Sequence, residues 1–141
     1  MHTRLEDNKA IVRRYQELLN AGDLQALGEV VADDISMPTA FPGFPSGLEG
    51  AKAIAATNLQ MIPDFTVTIE ELIAEDDRVA AFITITGTHT RTMFGIPPTG
   101  KAFNVIGMAM FRIVGGKIVE HRGVGDMLSA LQQIGALPPL G

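Results

Sequence analysis

Apolar positions in the first third of the chain recur with a helical period. Ile11, Tyr15, Leu18 and Leu19 fall at i, i+4, i+7 and i+8, with Arg13, Arg14 and Glu17 opposite, which predicts an amphipathic helix over 4–20. Asn20-Ala21-Gly22-Asp23 ends it, Gly22 suiting the left-handed position after a helix and Asp23 the cap of the next. A shorter helix is expected through Leu24, Leu27 and Val31, stopping before Asp33-Asp34, then a short strand at 35–38. Residues 38–47 hold three prolines, two glycines and two phenylalanines and read as an irregular, partly apolar loop. A further helix covers about 49–62, with Ala51, Ile54, Ala55, Asn58 and Ile62 on its inward stripe.

Beyond Pro63 the period changes to two. Val67 and Ile69 alternate with threonines, and Glu75-Asp76-Asp77-Arg78 reads as a hairpin turn. Val79, Ala81, Ile83, Ile85, Gly87 and His89 then make one face of a long strand, threonines most of the other. Residues 102–114 are apolar on both faces, as a central strand would be. Gly115-Gly116 turns the chain, 117–125 returns as a strand, and 127–134 closes with a short helix. Helices first and meandering strands afterwards predict a single α+β domain over 1–141, with helices packed on an antiparallel sheet.

The length, 141 residues, suffices for a buried core without cross-links. A net charge of −5 disfavours nucleic-acid and anionic-membrane partners, and no apolar run approaches a membrane span. Cysteine is absent and there are three histidines, which excludes thiol chemistry and leaves little for a metal. The expectation is a soluble cytoplasmic protein that needs no cofactor or metal. Both faces of 102–114 being apolar adds a homodimer formed through the outer face of the sheet.

Five segments carry a family resemblance: Leu19-Asn20-Ala21-Gly22-Asp23-Leu24, Pro63-Asp64-Phe65, Gly87-Thr88-His89-Thr90, Gly95-Ile96-Pro97-Pro98-Thr99-Gly100-Lys101, and Gly116-Lys117-Ile118-Val119-Glu120-His121 followed by Asp126. With them the chain resembles, over essentially its whole length, the SnoaL-like polyketide cyclases or ester cyclases of the nuclear-transport-factor-2-like superfamily. The resemblance implies a cone-shaped α+β barrel, a strongly curved sheet wrapped on helices around a deep apolar cavity, usually dimeric. One departure is Arg122, where the family often has tryptophan. It is expected to change the polarity near the last strand.

The resemblance also implies a role for Asp126, as general acid/base in an intramolecular aldol closure. A carboxyl group serves there if an apolar site lifts its pKa toward neutrality. The competing reading is a cap on the helix starting at Met127. Tyr15, Asn58 and His89 are candidates to orient substrate oxygens, each with a structural alternative as a hydrogen-bonded core residue. Phe41, Met61 and Phe111 are candidate apolar contacts. Phe41, Phe44, Met93, Phe94 and Ile96 are expected around the pocket mouth. The face of His121 is undecided, and Arg112 is expected to pair with Glu120 or Asp126. Ketosteroid isomerase resembles the chain at Tyr15, but its two aspartates fall at Thr39 and Ala109. Limonene epoxide hydrolase needs Arg and Asp two apart, and Arg112 is followed by Val114. The sequence thus favours a cofactor-independent cyclase or isomerase acting on a hydrophobic carbonyl compound. A non-catalytic carrier of small hydrophobic ligands is the alternative.

Overall fold

The computed structural model describes residues 3–138. Helix α1 (Arg4–Ala21) starts on Thr3, whose hydroxyl accepts from the Glu6 amide, and ends at Gly22 with φ of 69°. That left-handed backbone lets the Gly22 and Asp23 amides turn back onto Leu19 and Leu18 carbonyls. Asp23 caps nothing through its side chain. The chain continues as a single 3-10 stretch, Leu24–Glu29, and Val31 opens strand β1 (Val31–Ser36) instead of extending a helix. Tertiary pairing overrides local preference here, because β1 lies parallel to the last strand with Val31 opposite Ile118, both fully buried.

Helix α2 (Gly47–Met61) precedes β2 (Thr66–Glu75), β3 (Arg78–Thr88), β4 (Ala102–Val114), β5 (Lys117–Gly125) and α3 (Met127–Gln133). The five strands form one mixed sheet in the order β1-β5-β4-β3-β2, antiparallel except for the β1–β5 pair. Bulges interrupt β2 near Glu71 and the β4–β5 pair near Arg112. Each bulge adds local twist, which bends a sheet around what it covers. Strand β4 is central, and its residues alternate strictly between buried and exposed.

Helix α1 packs against β2, β3 and β5, α2 against β1, and α3 against β4. Two apolar clusters result. One joins Val12, Tyr15 and Leu18 of α1 to Val79, Ala81, Phe111 and Ile113; the other gathers Ile62, Met93, Phe103, Val105, Ala130 and Ile134. The opposite face of the sheet exposes Ile106, Met108, Met110 and Val124. This is the surface to which the expected second copy would bind. Arg112 does not pair with Glu120 or Asp126. It reaches Asp77 in the β2–β3 turn at 2.8 Å, and Glu120 takes Arg122 at 2.8 Å. Among the described residues no helix is long and apolar enough to cross a membrane.

Candidate functional site

A cavity of about 360 Å³ lies between α1, α2 and the inner face of the sheet, its wall drawn from both core clusters. The α2 stripe of Ala51, Ile54, Ala55, Asn58 and Ile62 forms one side, together with Met61. Opposite stand Ile83, Ile85, Val105, Ala109 and Phe111 from β3 and β4, with His121, Gly123 and Gly125 from β5. At the mouth, Phe41 and Phe94 sit with ring centroids 5.8 Å apart and more than half of each residue exposed. Phe44 and Ile96, expected beside them, are not on the wall, and Met93 lines it from a buried position.

Few polar groups interrupt this surface; Gln16, Thr39 and Asp126 have protein partners, and Tyr15, Asn58 and His121 have none among the described residues. Tyr15 projects from α1, its ring edge-on to Phe111 at 5.7 Å. Burial lifts its phenol to about 12, so the hydroxyl stays a donor, and it makes no hydrogen bond within the described residues. Asn58 is half-buried on the wall and likewise spends its amide on no described residue. Thr39 accepts from the Gly123 amide at 2.9 Å, which fixes the loop after β1 against β5.

Asp126 lies just past β5, on the cavity wall yet exposed. Its Oδ1 accepts from the Ser129 amide at 3.0 Å, so it does cap α3. Its Oδ2 has no partner among the described residues. The capping reading of Asp126 holds, with one oxygen tied to the helix and the other free. Being exposed at the mouth, it would be shielded from water by a bound apolar molecule, not by the cavity walls alone.

His89 is a correction. It is fully buried and absent from the cavity wall, so it does not orient a substrate oxygen. Its Nδ1 accepts from the Thr99 amide at 3.3 Å and lies 3.0 Å from the Thr99 hydroxyl; its Nε2 donates to the Ile96 carbonyl at 3.2 Å. Backbone bonds from His89 to Lys101 and from Gly100 to His89 complete a clasp on the 89–101 loop. Strand parity placed His89 inward correctly, but the loop fills the space beyond it.

His121 is the residue whose face the sequence leaves undecided. It faces the cavity opposite Phe111, ring centroids 4.9 Å apart, and 6.1 Å from Tyr15. Its Nδ1 is sealed from solvent without a hydrogen-bond partner. Burial pushes the imidazole down to about 4, so it is neutral near pH 7. Parity counted from the buried Ile118 would send His121 outward. The bulge shifts that count by one, since Ile118 pairs with Ile113 but Glu120 with Arg112, and so turns His121 in. Arg122, one residue on, points to the outer face opposite Met110 and does not touch the cavity. The expected change of polarity therefore falls outside the sheet. Among the described residues no three His, Asp or Glu side chains gather as a metal would require.

Residues 9–134 match the SnoaL-like polyketide cyclase family. The chain is 32% identical over 129 residues to the aklanonic acid methyl ester cyclase DauD of Streptomyces sp. (strain C5), covering 89% of this chain and 80% of that one. In structure it is similar to IdmH of Streptomyces antibioticus, with a TM-score of 0.81 and 32% identity over 91% of this chain and 98% of IdmH. It is also similar to TsrD of Streptomyces laurentii, with a TM-score of 0.85 and 26% identity over 97% of this chain and all of TsrD. The chain belongs to the SnoaL-like polyketide cyclase family.

Proposed function

From this membership and the chemistry of the cavity, we propose that the protein closes a ring in a hydrophobic, carbonyl-bearing polyketide ester by acid/base catalysis without a cofactor. The carrying observation is an apolar cavity in which Tyr15, Asn58 and His121 have no protein partner, with the free oxygen of Asp126 at its mouth. Polar groups cut off from water by a ligand cost about 1–3 kcal/mol each unless the ligand pairs with them, so a wall on which Tyr15, Asn58 and His121 have no protein partner is complementary to a ligand carrying oxygens. The name of the relative DauD supports a polyketide methyl ester as the substrate class.

In the proposed reaction, Asp126 Oδ2 takes a proton from a carbon flanked by carbonyls. The resulting enolate carbon attacks a second carbonyl carbon and forms the C–C bond. The alkoxide so produced recovers the proton from Asp126, leaving a hydroxyl, and nothing is oxidised or reduced. Tyr15 and Asn58 donate hydrogen bonds to substrate oxygens, and Phe41, Met61 and Phe111 supply apolar contact. The cap bond to Ser129 holds the carboxylate in one orientation.

That same cap favours one rival reading, a ligand carrier in which Asp126 only ends a strand and starts a helix. Asp126→Asn separates them, because Asn caps nearly as well as Asp. Under the catalytic reading, turnover of a polyketide ester identified by screening falls roughly 10²–10⁴-fold while melting and ligand binding hold. Unchanged turnover with normal melting would leave the carrier.

A further inference from the structure

Among the polar side chains of the inner wall, His121 alone has neither a structural partner nor a part in the proposed reaction. Neither ring nitrogen makes a hydrogen bond to a described residue, and Nδ1 is sealed off altogether. The ring packs against Phe111 and lies close to Tyr15. Space for it is provided by Gly123, where a Cβ would stand 3.2 Å from Cε1 and 3.3 Å from Nε2, tighter than ordinary contact.

The proton can be placed. A sealed N–H without an acceptor is rarer and more costly than a bare acceptor nitrogen. The favoured tautomer therefore leaves Nδ1 bare and carries hydrogen on Nε2, the atom beside Gly123 on the cavity wall. Because burial keeps the imidazole neutral near pH 7, the group offers a single fixed donor. Asp126 lies five residue steps beyond His121, just past the end of β5, roughly 16 Å at about 3.3 Å per step. One group stands beside the buried Tyr15 and Phe111; the other is exposed at the mouth.

We propose that His121 determines specificity by donating from Nε2 to an acceptor oxygen at the deep end of an elongated, fused-ring substrate whose reacting carbon lies at Asp126. The inference rests on the proposed function and refines its substrate class. A compact substrate would reach one of these groups and not the other. The distal oxygen takes no part in bond making; it sets the depth and orientation at which the molecule sits.

The test uses two small probes of nearly one shape, 1-tetralone and its hydrocarbon tetralin, titrated into the whole protein. Wild type binds the ketone about 3- to 10-fold more tightly, the value of one net hydrogen bond. His121→Phe brings the two affinities within about twofold while tetralin binding stays; His121→Gln, which keeps an amide donor, recovers part of the preference. Side-chain 15N spectra of the wild type show Nε2 protonated and Nδ1 bare, and tetralone but not tetralin shifts Nε2. A ketone preference that survives His121→Phe, or a proton found on Nδ1, overturns the inference. The spectra decide it even if the variants fold poorly. Wild type that binds neither probe overturns both this inference and the cavity reading. Normal turnover in Asp126→Asn would remove the catalytic reading alone, since the ketone preference does not depend on it.

Discussion

The region clasped by His89 and the wall around His121 use the same side chain in opposite ways. Both imidazoles face inward from the sheet. His89 has both nitrogens engaged, with Thr99 and Ile96, and holds a loop of about a dozen residues. His121 has neither engaged. A buried polar group with every partner supplied by the chain is part of the fold, whereas one left short is a place where the chain alone is incomplete. His89 is fully buried and His121 partly so with its Nδ1 sealed, but their shared place on the inner face does not distinguish them.

The sharpest way to break the comparison is His89→Leu. The substitution keeps bulk but leaves the Thr99 amide without its acceptor and removes the tie to Ile96. A loss of about 2–4 kcal/mol is expected from the unpaired groups, seen as a melting point lower on the order of 10 °C. The ketone preference of the folded fraction should persist, because His89 does not line the cavity and His121 lies outside the loop it clasps, although Met93 and Phe94 of that loop do line it. His121→Phe should melt at or above wild type, since it removes an unsatisfied group. Equal losses in the two variants would abolish the distinction.

The clasp also explains what was legible in the sequence. The segments that carry the resemblance bond to one another: Asp64 accepts from the amide and hydroxyl of Thr88 at 2.9 and 2.7 Å, and His89 grips Ile96 and Thr99. Asn20 pairs with both backbone groups of Val67 at 2.8 and 3.0 Å. These motifs are joints of the fold, which is why they identified the architecture so well and the site less well. The α2 stripe of Ala51, Ile54, Ala55 and Asn58 was readable because helical periodicity alone brings it to one side of the cavity. The face of His121 was not, because the β5 register depends on pairing with β4 across a bulge that local pattern does not encode. Val31 was misplaced for a similar reason, its strand existing only through the parallel contact with Ile118.

Acid sharpens the same contrast more gently. The folded imidazole of His121 titrates at about 4, below its ordinary 6.5, because burial disfavours the cation. The unfolded chain therefore binds this proton first as pH falls. Stability from this group is complete above about pH 6.5 and is lost progressively between there and pH 4, by up to about 3 kcal/mol. Urea midpoints measured from pH 7 to pH 4 should fall more steeply for wild type than for His121→Phe. Parallel profiles would mean that His121 is not the titrating group.

The smallest effect is expected on the other side of the sheet, next door in sequence. Arg122 points outward, half-exposed, with its guanidinium 2.8 Å from Glu120 and its backbone paired with Met110. Exposed ion pairs of this kind contribute roughly 0–1 kcal/mol. Arg122→Trp restores the residue type the family often has there, yet it should shift tetralone affinity by less than about twofold and leave the ketone preference intact. Stability should change by no more than about 1 kcal/mol, because an exposed pair is exchanged for an aromatic surface beside Met110. The period of two past the β5 bulge sets this expectation: His121 and Arg122 are neighbours in the chain but lie on opposite faces of a sheet one strand thick. A tenfold change in tetralone affinity would show that the outer face shapes the cavity through the β5 backbone. The position would then belong with His121 instead of with the fold.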